Sequence, residues 1–234
     1  MTLNATPLDS SLTASLSLWL GEAFHGRLPL QGALDLAHRG VIPFRKLSAS
    51  NLENLRGIEN SGRPYVDSPH VPARVLTKDG RWHERVLFVS DVVYCGHWAF
   101  SPSRSFIPVG ELEIVERSAL QMPPFVAWAI YDFGESGMGY VTFDLVMRDG
   151  KRIPCWYSGV ADFVELPAQY LPTDIVGVEN PHSKPGKDHL QDPEIEWCVH
   201  LSPPAVVRRV GPMLVSILAD PERYIETRPV QRDG

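Results

Sequence analysis

Two stretches of the chain share a pattern that strongly limits how its middle part can fold. In each, an apolar run is followed by a basic residue, Asp-Gly, a second basic residue and another apolar run. The stretches are ARVLTKDGRWHERVLFVSD at residues 73–91 and VTFDLVMRDGKRIPCWYSG at residues 141–159. Asp-Gly between apolar runs is a strong short-range signal for a β-hairpin. The sequence therefore predicts two antiparallel hairpins.

The alternation of apolar and polar residues also predicts the register of the second hairpin. A two-residue loop would mix apolar and polar side chains on both faces, whereas a three-residue loop with a left-handed Gly150 gives one wholly apolar face. The facing pairs are then Leu145 with Ile153, Phe143 with Cys155 and Val141 with Tyr157. Because a slip of one residue would expose that face, we expect the three-residue loop. In the first hairpin the same loop places Leu76 opposite Trp82.

Similar segments follow the two hairpins. FIPVGELEIVERS occupies residues 106–118, and YLPTDIVGVENPH occupies residues 170–182. Both segments read aromatic, aliphatic, proline, small residues, an acid, an aliphatic residue and Val-Glu. Residues 73–118 and 141–182 are therefore either an internal duplication or two independent meanders, and both alternatives stay open.

The whole chain is predicted to be an α+β protein with three parts. Residues 1–72 form an N-terminal helical segment and linker, residues 73–180 a β-rich core, and residues 181–234 a polar loop and a C-terminal helix that packs on the core. The predicted helices lie at residues 8–24, 31–40, 51–55 and 203–218, and a further strand is predicted from Phe125 to Tyr131. Short antiparallel strands of this kind also occur in small barrels, an analogy that says nothing about function.

Composition argues against some classes of partner. The chain has 22 Lys and Arg against 28 Asp and Glu, a net charge of -6. Binding to a phosphate backbone depends on clustered cations, so nucleic acid is not the expected partner. No run approaches the roughly 20 apolar residues of a membrane helix. The 3 cysteines are widely spaced, as in reduced cytosolic proteins. We expect a cytoplasmic protein without a cofactor.

An excess of aromatic residues suggests a binding surface. Tyr94, Trp98 and Phe100 cluster close to Arg104 in a segment with large rings on both strand faces. Aromatic residues and Arg dominate the energetics of protein interfaces. The leading hypothesis is a non-enzymatic interaction or adaptor protein that binds a protein partner or a second copy of itself here. The alternative for these rings is that a helix or subunit of the same assembly covers them.

A second hypothesis is a small-molecule enzyme of the hydrolase type. Its candidate catalytic residues are Asp188 and His189, in the polar loop 182–189, and the thiol of Cys95. His182 and His189 are also the candidate metal ligands, although their spacing relative to the other cysteines and histidines matches no zinc pattern. Whether the protein is an enzyme is left open by the sequence.

Three further assignments follow from local pattern. The glycine-rich segment GESGMGY, residues 134–140, is followed by a strand and carries Glu135, so it is predicted to be a hairpin connection that could fold over a ligand, not a phosphate loop. Cys155 is predicted to be a buried apolar residue. Leu112 and Ile114 are predicted to face the core.

Overall fold

The computed structural model describes residues 39–41, 45–60, 70–90, 105–181 and 184–200. The chain divides into two units: one comprises Met1–Ser48, Val89–Glu111 and Trp197–Gly234, and the other Ala49–Phe88 and Leu112–Glu196. The helices predicted at 8–24 and 203–218 lie outside the described residues, and so do residues 31–38 of the helix predicted at 31–40. The division at residues 72 and 180 therefore stays a prediction.

The described residues form two helices and nine strands, in an α+β arrangement with two sheets. The helices are α1 (Ala49–Arg56) and α2 (Pro124–Phe133). The strands are β1 (Val71–Thr77), β2 (Trp82–Ser90), β3 (Ser105–Phe106), β4 (Leu112–Glu116), β5 (Val141–Met147), β6 (Arg152–Tyr157), β7 (Ile175–Glu179), β8 (Leu190–Gln191) and β9 (Glu196–His200). Neither described helix has the length or the apolar run that crossing a bilayer requires.

In the second unit, three strands of one sheet lie in the order β2-β1-β4, and all pairs are antiparallel. We call them the first set. Leu76 pairs with Trp82, as the three-residue loop predicts. The pairing of β1 with β4 shifts by one residue between Leu76 and Thr77. Because of this bulge Ile114 is 38% exposed, and the prediction that it faces the core is wrong.

The other sheet of this unit has the order β7-β5-β6-β8. We call its strands β5, β6 and β7 the second set. The facing pairs of the hairpin are Val141 with Tyr157, Phe143 with Cys155 and Leu145 with Ile153. This pairing confirms the predicted register. β8 pairs with β6 in parallel, and β7 and β8 end the sheet, so these strands do not close into the barrel that the sequence pattern suggested.

The two hairpins have the same turn. Gly80 and Gly150 have φ values of 82° and 84°, in the left-handed region that glycine adopts without steric cost. In the second turn the N–H of Gly150 donates to the carbonyl of Met147, and the N–H of Met147 donates to the carbonyl of Lys151, both at 2.9 Å. The glycine thus holds the same left-handed conformation in both turns.

Residues 124–133 form helix α2, so the strand predicted from Phe125 to Tyr131 is wrong. Pro124 occupies the start of the helix, where a missing N–H costs nothing. Val126, Ala127 and Ile130 are buried at helical spacing. Burial of this single face therefore overrides the strand preference of the aromatic and β-branched residues.

One hydrophobic core cluster of the second unit lies between α2 and the apolar face of the second set. Its buried members come from α2, from both strands of the hairpin and from the connection after it. Phe143 and Tyr157 contact edge to face, with ring centroids 5.0 Å apart. Such packing of large apolar side chains is the main source of stability in a domain of this size.

In the first unit, β3 lies beside β9. The N–H of Ile107 donates to the carbonyl of Trp197 at 2.9 Å. The guanidinium of Arg39 lies 5.7 Å from the ring centroid of Phe106. Cys198 is fully buried within β9, and burial raises the pKa of its thiol.

Candidate functional site

The predicted binding surface cannot be placed on the fold. Tyr94, Trp98, Phe100 and Arg104 all lie within residues 91–104, outside the described part of the chain, and so does Cys95. Their proposed roles stay predictions.

The loop at residues 182–189 is described from Lys184 onward, so His182 lies outside it. Asp188 is exposed and His189 is half-buried. The Nδ1 atom of His189 accepts the N–H of Gly186 at 2.9 Å, which closes a local turn. Among the described residues no three His, Cys, Asp or Glu side chains gather as metal ligands would. In the described part, this loop brings Asp188 and His189 to a surface turn.

The thiols that the structure describes are poor nucleophiles. Cys155 is fully buried on the apolar face of β6, as predicted. Burial raises the pKa of its thiol to about 12. A thiol in this state is almost entirely protonated at neutral pH, and the thiolate is the reactive form.

Helix α2 exposes two large aromatic side chains. Phe125 is 57% exposed and Trp128 is 46% exposed. The two positions are three residues apart and therefore lie side by side on one face of the helix. The opposite face is buried in the core. α2 thus carries apolar side chains both on its buried face and on its exposed face.

An open cleft of about 190 Å³ lies at the end of α2. Three segments form its walls: the last turn of α2, the glycine-rich residues 134–140, and residues 157–161 after β6. The sequence identified residues 134–140 as a connection that could fold over a ligand, and in the structure this connection lines a cleft.

The glycine-rich connection is held in shape by hydrogen bonds and by one close approach. The N–H of Ser136 donates to the carbonyl of Tyr140 at 2.9 Å, and the hydroxyl of Ser136 accepts the N–H of Thr142 at 3.0 Å. The ring of Tyr140 lies over Gly137, where a Cβ atom would come within 2.4 Å of a ring carbon. A side chain at position 137 would therefore displace the ring of Tyr140. Met138, at the tip, is 97% exposed.

A buried group of polar side chains lies behind one wall of the cleft. Nε2 of His70 lies 2.7 Å from Oδ2 of Asp162, and both side chains are 1% exposed. The hydroxyl of Tyr131 donates to the same carboxylate oxygen and accepts the N–H of Ala161 at 3.0 Å. Tyr131 lines the cleft, whereas the carboxylate of Asp162 is shielded from solvent. The buried pair therefore fixes the orientation of a tyrosine that faces the cleft.

A second carboxylate lies beside the cleft. The backbone N–H of Ser158 donates to Asp192 at 3.2 Å, and the hydroxyl of Ser158 lies 3.1 Å from the same oxygen. Glu135 is exposed and lines the cleft from the glycine-rich connection. One of its carboxylate oxygens accepts the N–H of Gly139 at 3.4 Å. The cleft is thus bordered by acidic groups.

The sequence gives no local signal for the His70, Asp162 and Tyr131 group. Asp162 is 92 residues from His70 and 31 from Tyr131, and none of them belongs to a recognisable motif. A buried aspartate such as Asp162 needs partners, and only the fold shows which residues supply them.

Comparison of this chain with protein-family models, with curated proteins and with solved structures finds no match.

Proposed function

We propose that this chain is a cytoplasmic interaction protein that binds a protein partner, or a second copy of itself, through exposed aromatic side chains, and that it does no catalysis. The observation that carries the proposal is the outer face of α2, with Phe125 and Trp128 side by side. Residues 94–104, with their predicted aromatic surface, are a further candidate part of the same function.

The two faces of α2 support this reading. The inner face already accounts for the contribution of the helix to the core, through Val126, Ala127 and Ile130. Burying the rings of Phe125 and Trp128 on a partner would remove a large apolar area from water at little conformational cost, since aromatic side chains have few rotatable bonds. Tryptophan is also among the residues most enriched at the energetic centre of interfaces.

The proposal is tested by a photo-crosslinking amino acid at position 125, in cells that produce the protein. We expect crosslinked products from position 125, at twice the chain's 26.1 kDa for self-association or at another defined mass for a different protein. The matched control carries the same amino acid at Val176, which is 52% exposed on β7. Absence of a defined product at position 125, or the same products from both positions, would contradict the proposal.

A second test separates binding from folding. Replacing Phe125 and Trp128 together by alanine should abolish the crosslinked complex. The crosslinking amino acid is then placed at Asp132, the other exposed position of α2. The melting temperature should change by less than about 4 °C, because exposed side chains contribute little to stability. A large loss of stability together with binding would mean that these rings are part of the core.

The structure describes two of the four candidate residues of the hydrolase-like alternative, and these two do not support it. Asp188 and His189 lie on a surface turn. His182 and Cys95 lie outside the described residues, so this alternative stays a prediction.

We also propose that residues 73–118 and 141–182 are two copies of one ancestral unit. Both contain a hairpin with a left-handed glycine at the third loop position. In both, a 3-10 turn precedes the third strand: Val109–Glu111 and Pro172–Asp174. The third strand pairs with the first, and the register shifts at the equivalent place. Two independent meanders would have no reason to share that shift.

A further inference from the structure

We infer that the cleft between α2, residues 134–140 and residues 157–161 binds a small organic cation with an ammonium head group. This site is separate from the proposed interaction surface, because neither Phe125 nor Trp128 is among the described residues that line the cleft. The two proposals can therefore fail independently.

Aromatic residues contribute to the cleft wall. Tyr131, Tyr140 and Tyr157 all line it. Tyr157 is fully buried, and its hydroxyl donates to the carbonyl of Phe163 at 3.1 Å, so the rings that a ligand can meet are those of the half-buried Tyr131 and Tyr140. The face of an aromatic ring attracts cations, and sites for quaternary ammonium groups are characteristically built from several such rings.

The charged side chain that lines the cleft is an acid. Glu135 lines the cleft directly, and the carboxylate of Asp192 is bonded to the lining residue Ser158. None of the described residues that line the cleft is Lys, Arg or His. Carboxylates within a few ångströms favour a cationic ligand and disfavour an anionic one. An acidic surround thus excludes phosphates and carboxylates as ligands.

The size of the cleft sets the class of cation. Its volume of about 190 Å³ is below the roughly 300–1,000 Å³ of pockets for drug-sized molecules. Gly134, Gly139 and Gly159 have no side chains to narrow it. A head group with methyl groups on nitrogen fits this volume, whereas a nucleotide or a peptide side chain with its backbone does not.

The cleft is formed before any ligand arrives. Tyr131 is held by Asp162 and by the N–H of Ala161. Tyr140 is held over Gly137, and its ring centroid lies 6.2 Å from that of Trp156. Fixed rings reduce the entropy that binding costs.

The experiment is an NMR titration of the full chain with choline and with its isostere 3,3-dimethylbutan-1-ol, in which a neutral carbon replaces the charged nitrogen of choline. Choline should cause saturable shifts of the amides of Gly139 and Ser158, with an affinity at least about fivefold above that of the isostere. Equal affinities for the two compounds, or no saturable shift with choline, would overturn the inference.

Variants assign the effect to the cleft. Glu135→Gln removes the charge but keeps an acceptor for the N–H of Gly139, and it should weaken choline binding about threefold, as expected for an exposed charge. Tyr140→Leu should weaken it similarly, whereas Tyr140→Phe should retain it. The matched control is Glu113→Gln, an exposed acid on β4, which should change nothing. Unchanged affinity in Glu135→Gln, or an equal loss in Glu113→Gln, would contradict the site.

Discussion

The first set, β1, β2 and β4, and the second set, β5, β6 and β7, begin with the same turn and diverge away from it. In both, the strand that comes first in the chain lies between the other two. The first hairpin has an additional register shift between Ala73 and Val75, whereas pairing in the second runs without a break from Val146 to Val141. The turn therefore sets the register only locally, and side chains adjust the pairing farther along.

The outer faces of the two sets arrange their charges differently. In the first set Arg74 lies on the central strand, forms ion pairs with Glu84 and Glu116, and has its guanidinium 4.4 Å from the ring centroid of Trp82. On the central strand of the second set, the position that corresponds to Arg74 is occupied by Asp144. The same backbone frame thus presents two different surfaces.

The connection between the second and third strands is longer in the first set than in the second. Residues 91–111 make this connection in the first set, and residues 158–174 make it in the second. The second connection supplies Ser158 and Asp162, which form or support the cleft. In the second set, the strands thus provide the frame and this connection supplies side chains of the cleft, as in many folds whose loops hold the functional residues.

The largest expected effect concerns a buried ring that the central strand of the second set has and the central strand of the first set lacks. Phe143 is fully buried, whereas the corresponding residue of the first hairpin is Ala73. Phe143→Ala should lower the free energy of unfolding by about 3–5 kcal/mol, measured by urea denaturation. Phe125→Ala, the same change at an exposed position, should cost less than about 0.5 kcal/mol. Similar losses in the two variants would contradict the assignment of Phe143 to the core and Phe125 to the surface.

A smaller effect tests whether the two turns are equivalent. Gly80→Ala and Gly150→Ala should each cost about 1–2 kcal/mol, because alanine is strained in the left-handed region. A Cβ atom at either position would contact nothing within 4 Å, so the loss comes from the backbone alone. Gly57→Ala is the control, since the backbone there is not left-handed. A loss in only one of the two turns would break the comparison.

The smallest effect concerns the aspartates of the two turns. A hydrogen bond from the hydroxyl of Thr77 lowers the pKa of Asp79, with a further contribution from the N–H of Arg81. A hydrogen bond from the hydroxyl of Tyr170 lowers the pKa of Asp149, with a further contribution from the N–H of Lys151. In both turns the pKa of the aspartate is lowered, but the donating hydroxyl comes from the preceding strand in the first set and from the residues before the third strand in the second.

Removing each donor should affect only its own turn. Thr77→Val should raise the pKa of Asp79 alone, and Tyr170→Phe that of Asp149 alone, followed by NMR of the carboxyl carbons. A pKa that is lower in the folded chain stabilises the fold above the unfolded pKa, and this stability is lost as the pH falls through the folded pKa. The variants should therefore be less stable than the parent at neutral pH, and the part of the difference that comes from the aspartate pKa should disappear in strong acid. An unchanged pKa of either aspartate would show that its hydroxyl contact does not form in solution.

Sequence reasoning succeeded where the controlling forces are local. The facing of Leu145 with Ile153 follows from alternation and from the turn, because only one register buries all the apolar side chains. The burial of Cys155 follows from the same alternation.

It failed where tertiary packing decides. Phe125 to Tyr131 contains residues common in strands, yet burial of Val126, Ala127 and Ile130 against the second set selects a helix. Ile114 faces outward because of a bulge that no local pattern announces. Within the candidate site, only the glycine-rich residues 134–140 could be identified in advance, since His70 and Asp162 meet across 92 residues.

The shared frame of the two sets is tested most directly by NMR contacts between α-protons across each hairpin. In non-hydrogen-bonded pairs the facing Cα atoms lie only about 4.5 Å apart, so their protons give strong contacts. The account predicts such contacts between Leu76 and Trp82 and, equally, between Val146 and Arg152. Strong contacts between Met147 and Arg152, or between Thr77 and Trp82, are the ones that a two-residue loop would give, and they would contradict it.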